Sequence, residues 1–284
     1  MTPSVLGRPD RALFVAGGAF LVGALAACSS KPPPAPDWQL SWSDEFTEGS
    51  LDATKWNVDT GDSFGTGQED YDTPRPVNLS VSGGNLVLTA RAESYQGASY
   101  TSARIETQGK FAQAYGRFEA RIQIPAGQGL WPAFWLLGDD YASAGWPQCG
   151  ELDIMEERGA TPGTVLGSMH GPGGDSYTAA FSLGGDASFS DDFHVFALEW
   201  EPGVARWYVD GQLYETQSAD MLPASQTWVF DHPFFVILDL AVGGSFGGPI
   251  TSATPMPQSM LVDYVRVYTN GPNDAGVSDD AAGD

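Results

Sequence analysis

The chain has 284 residues, of which 42 % are hydrophobic and 17 % charged, enough for one large all-β domain or two small ones and ample for a core. Its 36 acidic residues outnumber 13 lysines and arginines, giving a net charge of −23. That balance excludes nucleic acid, whose phosphates are met by Lys and Arg that displace counterions, and favours a neutral partner.

The first element is a targeting segment. In "MTPSVLGRPDRALFVAGGAFLVGALAACSS", Arg8 and Arg11 precede an apolar run from Ala12 to about Ala27. The run is short for a spanning helix, which takes ~20 residues, and suits a signal-peptide core. It ends in "LAAC", which resembles the bacterial lipobox, so residues 1–28 are expected to be a signal peptide with Cys28 as the lipid-bearing residue. The alternative is a plain secretory signal cut at nearby small residues. Both readings give an exported protein: a cell-surface or outer-membrane lipoprotein held only by an anchor at Cys28, or a secreted one. Residues 29–37, with "KPPPAPD", read as a stiff spacer. Cys149 then has no partner and is expected to be buried and inert.

Residues 38–270 repeat a period of two. In "GRFEARIQIP", Phe118, Ala120, Ile122 and Ile124 alternate with Arg117, Glu119, Arg121 and Gln123, the pattern of a half-buried strand. "VARWYVDGQLYET" sets Asp210-Gly211 between two β-rich runs, a strong hairpin signal. "GGNLVLTARAE", "HVFALEWEPG", "FFVILDLAVGG" and "MLVDYVRVYT" read the same way, and no capped helical pattern of useful length occurs. Many short strands in one chain predict a sandwich of two antiparallel sheets. Residues 271–284, "GPNDAGVSDDAAGD", are small, polar and acidic, and read as a disordered tail.

"CGELDIMEER" packs four carboxylates, Glu151, Asp153, Glu156 and Glu157, around Leu152, Ile154 and Met155. The segment fits a strand or a short helix, and the all-β surroundings favour the strand. A regular strand puts Glu151, Asp153 and Glu157 on one face and Glu156 on the other. Glu151 and Glu157 then stand ~20 Å apart at Cα, too far for the ~5–5.5 Å between the carboxyls of a retaining glycosidase. One β-bulge within Ile154–Met155 resets the alternation and brings Glu156 to the face of Glu151 and Asp153, ~13 Å from Glu151 at Cα. Three carboxyls on one face raise at least one pKa and set an acid beside a base. A solvated acidic strand or a calcium site are the other readings of this spacing, and the apolar neighbours weigh against them.

Glu151-Leu-Asp153-Ile-Met-Glu156 resembles the ExDxxE signature of the bulged members of glycoside hydrolase family 16, the laminarinase-like endo-β-1,3-glucanases. The resemblance covers most of Trp42–Tyr268, through "WSDEF", "YTSARIETQGKFAQAYGRFEARIQIPAGQGLWPAFWLLG", "WPQCGELDIMEERG", "FHVFALEWEP", "FFVILDLAVGG" and "VDYVRVY". It implies a jelly-roll sandwich with a cleft across its concave sheet. It also implies retaining hydrolysis of a β-glucan, with a glucan-remodelling transglycosylase or a non-catalytic β-glucan-binding protein on the same scaffold as the alternatives. A monomer that needs no cofactor for catalysis is expected. Carried over, Glu151 is the nucleophile, Glu156 the acid and then base, and Asp153 the group that holds Glu151. Glu157 falls outside the motif and is expected to be a solvated or opposite-face acid.

The same resemblance points to substrate contacts at Asn78, Arg104, Trp131, Trp135 and His170, with Trp146 a weaker candidate. Trp131 and Trp135 also share strand parity, which suits flat rings offered to the C–H faces of sugars. His194 and His232 read as structural, and no HExxH spacing suggests zinc. Many family members hold a structural calcium, and the matching positions are Glu45, the Gly84 carbonyl and Asp263. The chain departs from the family at Asp239, where Asn is common, at Phe246, where Trp is frequent, and in "GQEDYDTPR", where Gln68 and Glu69 match loosely. These differences bear on subsites rather than on the trio.

Overall fold

The computed structural model describes residues 37–271 apart from residues 63 and 174–175. The leader, Cys28, most of the spacer and residues 272–284 of the tail lie outside the described residues. The regular structure of the described residues is nearly all strand, with two one-turn helices at Tyr141–Ala144 and Gly244–Gly247 and a 3₁₀ turn at Ala219–Met221.

Two sheets form. The seven-stranded sheet runs, edge to edge, Ser176–Ser182, Thr164–His170, Glu151–Glu157, Leu130–Gly138, Phe234–Val242, Arg104–Glu106 and Asn57–Val58. The ten-stranded sheet has Gly116–Gln123, His194–Glu201 and Gln258–Asn270 at its centre. One pairing departs from the antiparallel expectation: Asp70–Asp72 lies parallel to Ala98–Ser102. The long connection between those two segments permits it, whereas a tight hairpin would not.

The expected alternation holds where it was clearest. Phe118, Ala120, Ile122 and Ile124 are buried, and Arg117, Arg121 and Gln123 lie at the surface of their sheet. Glu119 is the exception at 9 % exposure, held by Arg117 at 2.8 Å and the Tyr268 hydroxyl at 3.2 Å. Asp210 and Gly211 both take positive φ, 49° and 77°, which is the twist a two-residue hairpin needs. Between the sheets Phe118, Phe134, Leu136, Leu152, Val236, Leu238 and Trp200 form one core. Each such side chain contributes about 1.5–3 kcal/mol by leaving water.

A smaller apolar cluster, Leu137, Cys149, Phe235 and Ile237, with Trp135 packed against it, is separate from that core. Through Cys149 it ties the segment before Glu151 to the strands of the seven-stranded sheet. Burial first, then the charges of Asp140 and Glu151, pushes the Cys149 thiol up to about 11, so it is a buried, unreactive thiol as expected.

Candidate active site

Glu151–Glu157 is a strand, which settles the choice against a helix. Glu151 lies opposite Leu137 and Glu156 opposite Ala133 on one neighbour, and opposite His170 and Leu166 on the other. Five steps along the acid strand therefore match four along each neighbour, the register breaking between Asp153 and Glu156. The extra residue is a β-bulge at Ile154–Met155, facing Gly167. An even spacing on both partners puts Glu156 on the face of Glu151 and Asp153, ~13 Å away at Cα.

Two features from the rest of the fold fix the bulge. Trp207, buried in the opposite sheet, donates its indole N–H to the Asp153 carbonyl at 2.8 Å. Gly167 is obligatory there, because a Cβ on it meets Trp207 Cδ1 at 2.4 Å and the Tyr214 hydroxyl at 2.5 Å. Trp207→Phe keeps the aromatic ring and deletes the donor. It is expected to cost about 1–3 kcal/mol of stability and to lower kcat more than it raises KM, because the aim of Glu156 depends on the bulge. Thermal melts and steady-state kinetics check this; a lower Tm with unchanged kcat would separate the bulge from Trp207.

The trio is held by named partners. Trp146 Nε1 donates to Glu151 Oε2 at 2.7 Å, and Trp131 Nε1 donates to Glu156 Oε1 at 2.9 Å. His170 Nε2 stands 2.9 Å from Asp153 Oδ2 and 3.9 Å from Glu151 Oε1. Burial, and then the charge of Asp153, raises Glu151 to about 8. The same two causes hold Glu156 well above the usual carboxylate range. Asp153 is also raised, by burial above all, and shares a hydrogen bond with Glu151. The trio thus retains protons at neutral pH. The hydrogen bond between Glu151 and Asp153 raises Glu151 and lowers Asp153, whereas the Trp146 N–H lowers Glu151. The proton this pair shares leaves one negative charge on it, while Glu156 keeps its own proton. A nucleophile beside a general acid results.

The row continues across the sheet. Trp135 lies opposite Asp153 and donates its N–H to Asp239 Oδ1 at 2.7 Å. Asp239 lies opposite Arg104, whose guanidinium sits 4.9 Å from the Trp135 ring and 4.7 Å from the Phe64 ring and is tied to Asp59 at 2.8 Å. Near this end Asp70 and Asp72 are buried and their carboxyls raised, in both cases by burial first. Gln68 Nε2 stands 3.5 and 3.4 Å from their oxygens. Arg104, Trp131, Trp135 and His170 therefore gather in one row with the trio. His170 sits on the trio itself rather than at a distant subsite.

Asn78 does not join them. It is 0 % exposed, and its amide is committed to Thr73, Arg75, the Thr89 carbonyl and Thr101. The expectation of a substrate contact at Asn78 is corrected, because no polar atom of its side chain is left for a sugar. Glu157 is corrected in part. It faces away from the trio, but it is not solvated: it is 0 % exposed, neither carboxylate oxygen has a partner, and burial pushes it to about 9. His194 and His232 lie against Asp210 and Asp140, away from the trio.

The calcium positions do not fit the ion. Both Glu45 oxygens accept hydrogen bonds from Arg266, at 2.9 and 2.7 Å, and Asp263 is paired with Arg121 at 2.7 Å. Gly84 occupies an exposed turn with φ of 79°. The two carboxylates are already neutralised by guanidinium groups, and no buried orphan oxygen of theirs awaits a cation.

The sequence profile described as Glycosyl hydrolases family 16 matches residues 67–266. The chain belongs to glycosyl hydrolases family 16. A protein described as "Beta-glucanase" from Rhodothermus marinus is 41 % identical over 268 residues, covering 88 % of this chain and 93 % of that one. The solved catalytic domain of an endo-1,3-beta-glucanase (laminarinase) from Thermotoga petrophila RKU-1 superposes with a TM-score of 0.79 at 45 % identity, covering 83 % of this chain and 99 % of that one. A beta-1,3-glucan-binding protein from Penaeus monodon is 32 % identical over 241 residues, covering 75 % of this chain and 62 % of its own. Family 16 membership makes the two-sheet stack the expected jelly roll. Within it, sequence reasoning ranked Trp146 low and missed Trp207 altogether. The "WPQCGE" spacing puts Trp146 five residues before Glu151. The intervening chain folds into a turn in which the Cys149 N–H donates to the Gly145 carbonyl at 2.9 Å and the Gly150 N–H to the Pro147 carbonyl at 3.1 Å.

Proposed function

We propose that this family 16 chain is an endo-acting retaining β-glucanase, cleaving β-1,3-glucan of the laminarin type or mixed-linkage β-1,3-1,4-glucan. The observation that carries the reading is the bulge that puts Glu151 and Glu156 on one face with a shared-proton Asp153 between them. In the first step a Glu151 oxygen attacks the anomeric carbon, the glycosidic C–O bond breaks, and the departing oxygen takes the Glu156 proton. In the second step Glu156 takes a proton from water, whose oxygen displaces Glu151 and returns the electron pair to its carboxylate. Two inversions retain the β configuration.

Catalysis is proposed to need no cofactor, and the protein to act as a monomer, exported and tethered through Cys28. A glucan-binding role without cleavage has a precedent in the Penaeus monodon relative's description, but the intact trio favours hydrolysis. Laminarin, lichenan, curdlan and agarose, with product sizes followed over time, test the reading. Early products of intermediate length from the first two are expected. Cleavage of agarose alone, or binding without cleavage, would overturn it.

A further inference from the structure

The two catalytic glutamates present four oxygens, and the fold treats them unequally. We propose that two indoles assign them: Trp146 holds Glu151 Oε2 and leaves Oε1 to attack, and Trp131 holds Glu156 Oε1 and leaves Oε2 to carry the proton. This rests on the retaining reading of the same trio.

The geometry is independent at each glutamate. Trp146 comes from the segment before the acid strand and is 55 % exposed, yet its N–H reaches Glu151 Oε2 at 2.7 Å. Trp131 comes from the neighbouring strand, is braced by Phe246 at 5.1 Å, and reaches Glu156 Oε1 at 2.9 Å. Each indole has a single donor and no acceptor, so it favours the ionised carboxylate it touches. When Glu151 Oε1 bonds to the anomeric carbon, Oε2 becomes the ester carbonyl, still facing the Trp146 N–H. When water displaces the ester, the returning electron pair spreads over both oxygens and that N–H stabilises it. At Glu156, fixing Oε1 leaves a single oxygen to give and then recover the proton.

The charged and titratable groups around the pair are few. Asp153 lies between the glutamates on their own strand, and His170 faces them from the next strand. Asp239 acts on Asp153 from the strand Phe234–Val242, and Tyr214 lies behind it in the other sheet. Asp140 and Cys149 belong to the segment that carries Trp146. Trp131→Phe changes none of these groups, and Trp146→Phe keeps an aromatic ring where Trp146 packs against His170, 6.3 Å between ring centroids.

The test is the pH dependence of kcat/KM on a laminarin oligosaccharide, whose two limbs report the free enzyme's base and acid. Trp146→Phe is expected to move the acid limb up by about one pH unit and leave the alkaline limb in place. Trp131→Phe is expected to move the alkaline limb up by about as much and leave the acid limb. The two variants thus narrow and broaden the profile respectively. Indoles that act only as sugar platforms would raise KM and leave both limbs where they were, which overturns the proposal. So would a parallel shift of both limbs in either variant. Trp131→Leu serves if Trp131→Phe does not fold, and the exposed Trp146 arm decides alone if neither does. A wild-type enzyme without glucanase activity would instead refute the retaining reading itself.

Discussion

Glu151→Gln is expected to reduce the initial release of reducing sugar from laminarin by about 10⁴-fold or more, as removal of a covalent nucleophile does elsewhere. Glutamine fills the same space and accepts the Trp146 N–H, but its amide oxygen cannot form the glycosyl ester. Glu157→Gln, six residues along the same strand, is expected to leave most of the activity. The Glu157 side chain lies behind the sheet and is kept neutral by burial, so a neutral amide replaces a neutral acid. Glu156→Gln is expected to fall between the two, at about 10²–10⁴-fold, and to recover on aryl glycosides whose leaving group needs no proton. Equal losses at Glu151 and Glu157 would remove the parity argument.

The second large effect is on stability. The ordinary value for Glu157 is 4.5, and burial alone raises it in the folded protein to about 9. The unfolded chain therefore releases this proton first as pH rises. The contribution is most favourable to folding below 4.5 and is lost progressively until pH passes the folded value. The loss runs at roughly 1.4 kcal/mol per pH unit, on the order of 4 kcal/mol near pH 7.5. Glu157→Met, unbranched and of similar length, removes the ionisation and the two orphan oxygens together. Its Tm is expected to exceed that of the wild type by a margin that grows from pH 5 to pH 9. A gap that stays constant with pH would mean that Glu157 is not protonated in the folded state.

How far these features were legible in the sequence depends on what each one required. The strands of Gly116–Gln123 and the Asp210-Gly211 turn follow from local patterns, so they were readable. The bulge was readable because only one inserted residue reconciles the glutamate spacing with two carboxyls on one face. Its cause was not: Trp207 lies 54 residues from Asp153 in the chain, and Gly167 matters only because Trp207 and Tyr214 stand behind it. Asn78 misled because its match to a cleft position carries no information about the four hydrogen bonds that bury it. Glu157 misled because charge next to charge suggests solvent, whereas its parity after the bulge points it inward. Glu45 and Asp263 read as oxygen donors for an ion until Arg266 and Arg121, distant or on another strand, were placed against them.

Retention is the consequence that most directly joins the bulge to the chemistry. Proton NMR of a laminarin oligosaccharide digest, recorded within the first turnovers and before mutarotation, reads the anomer released at the new reducing end. With Glu151 and Glu156 on one face, the β-anomer appears first and the α-anomer follows only as the solution equilibrates. Initial release of the α-anomer would contradict the double displacement and the pairing of these two glutamates.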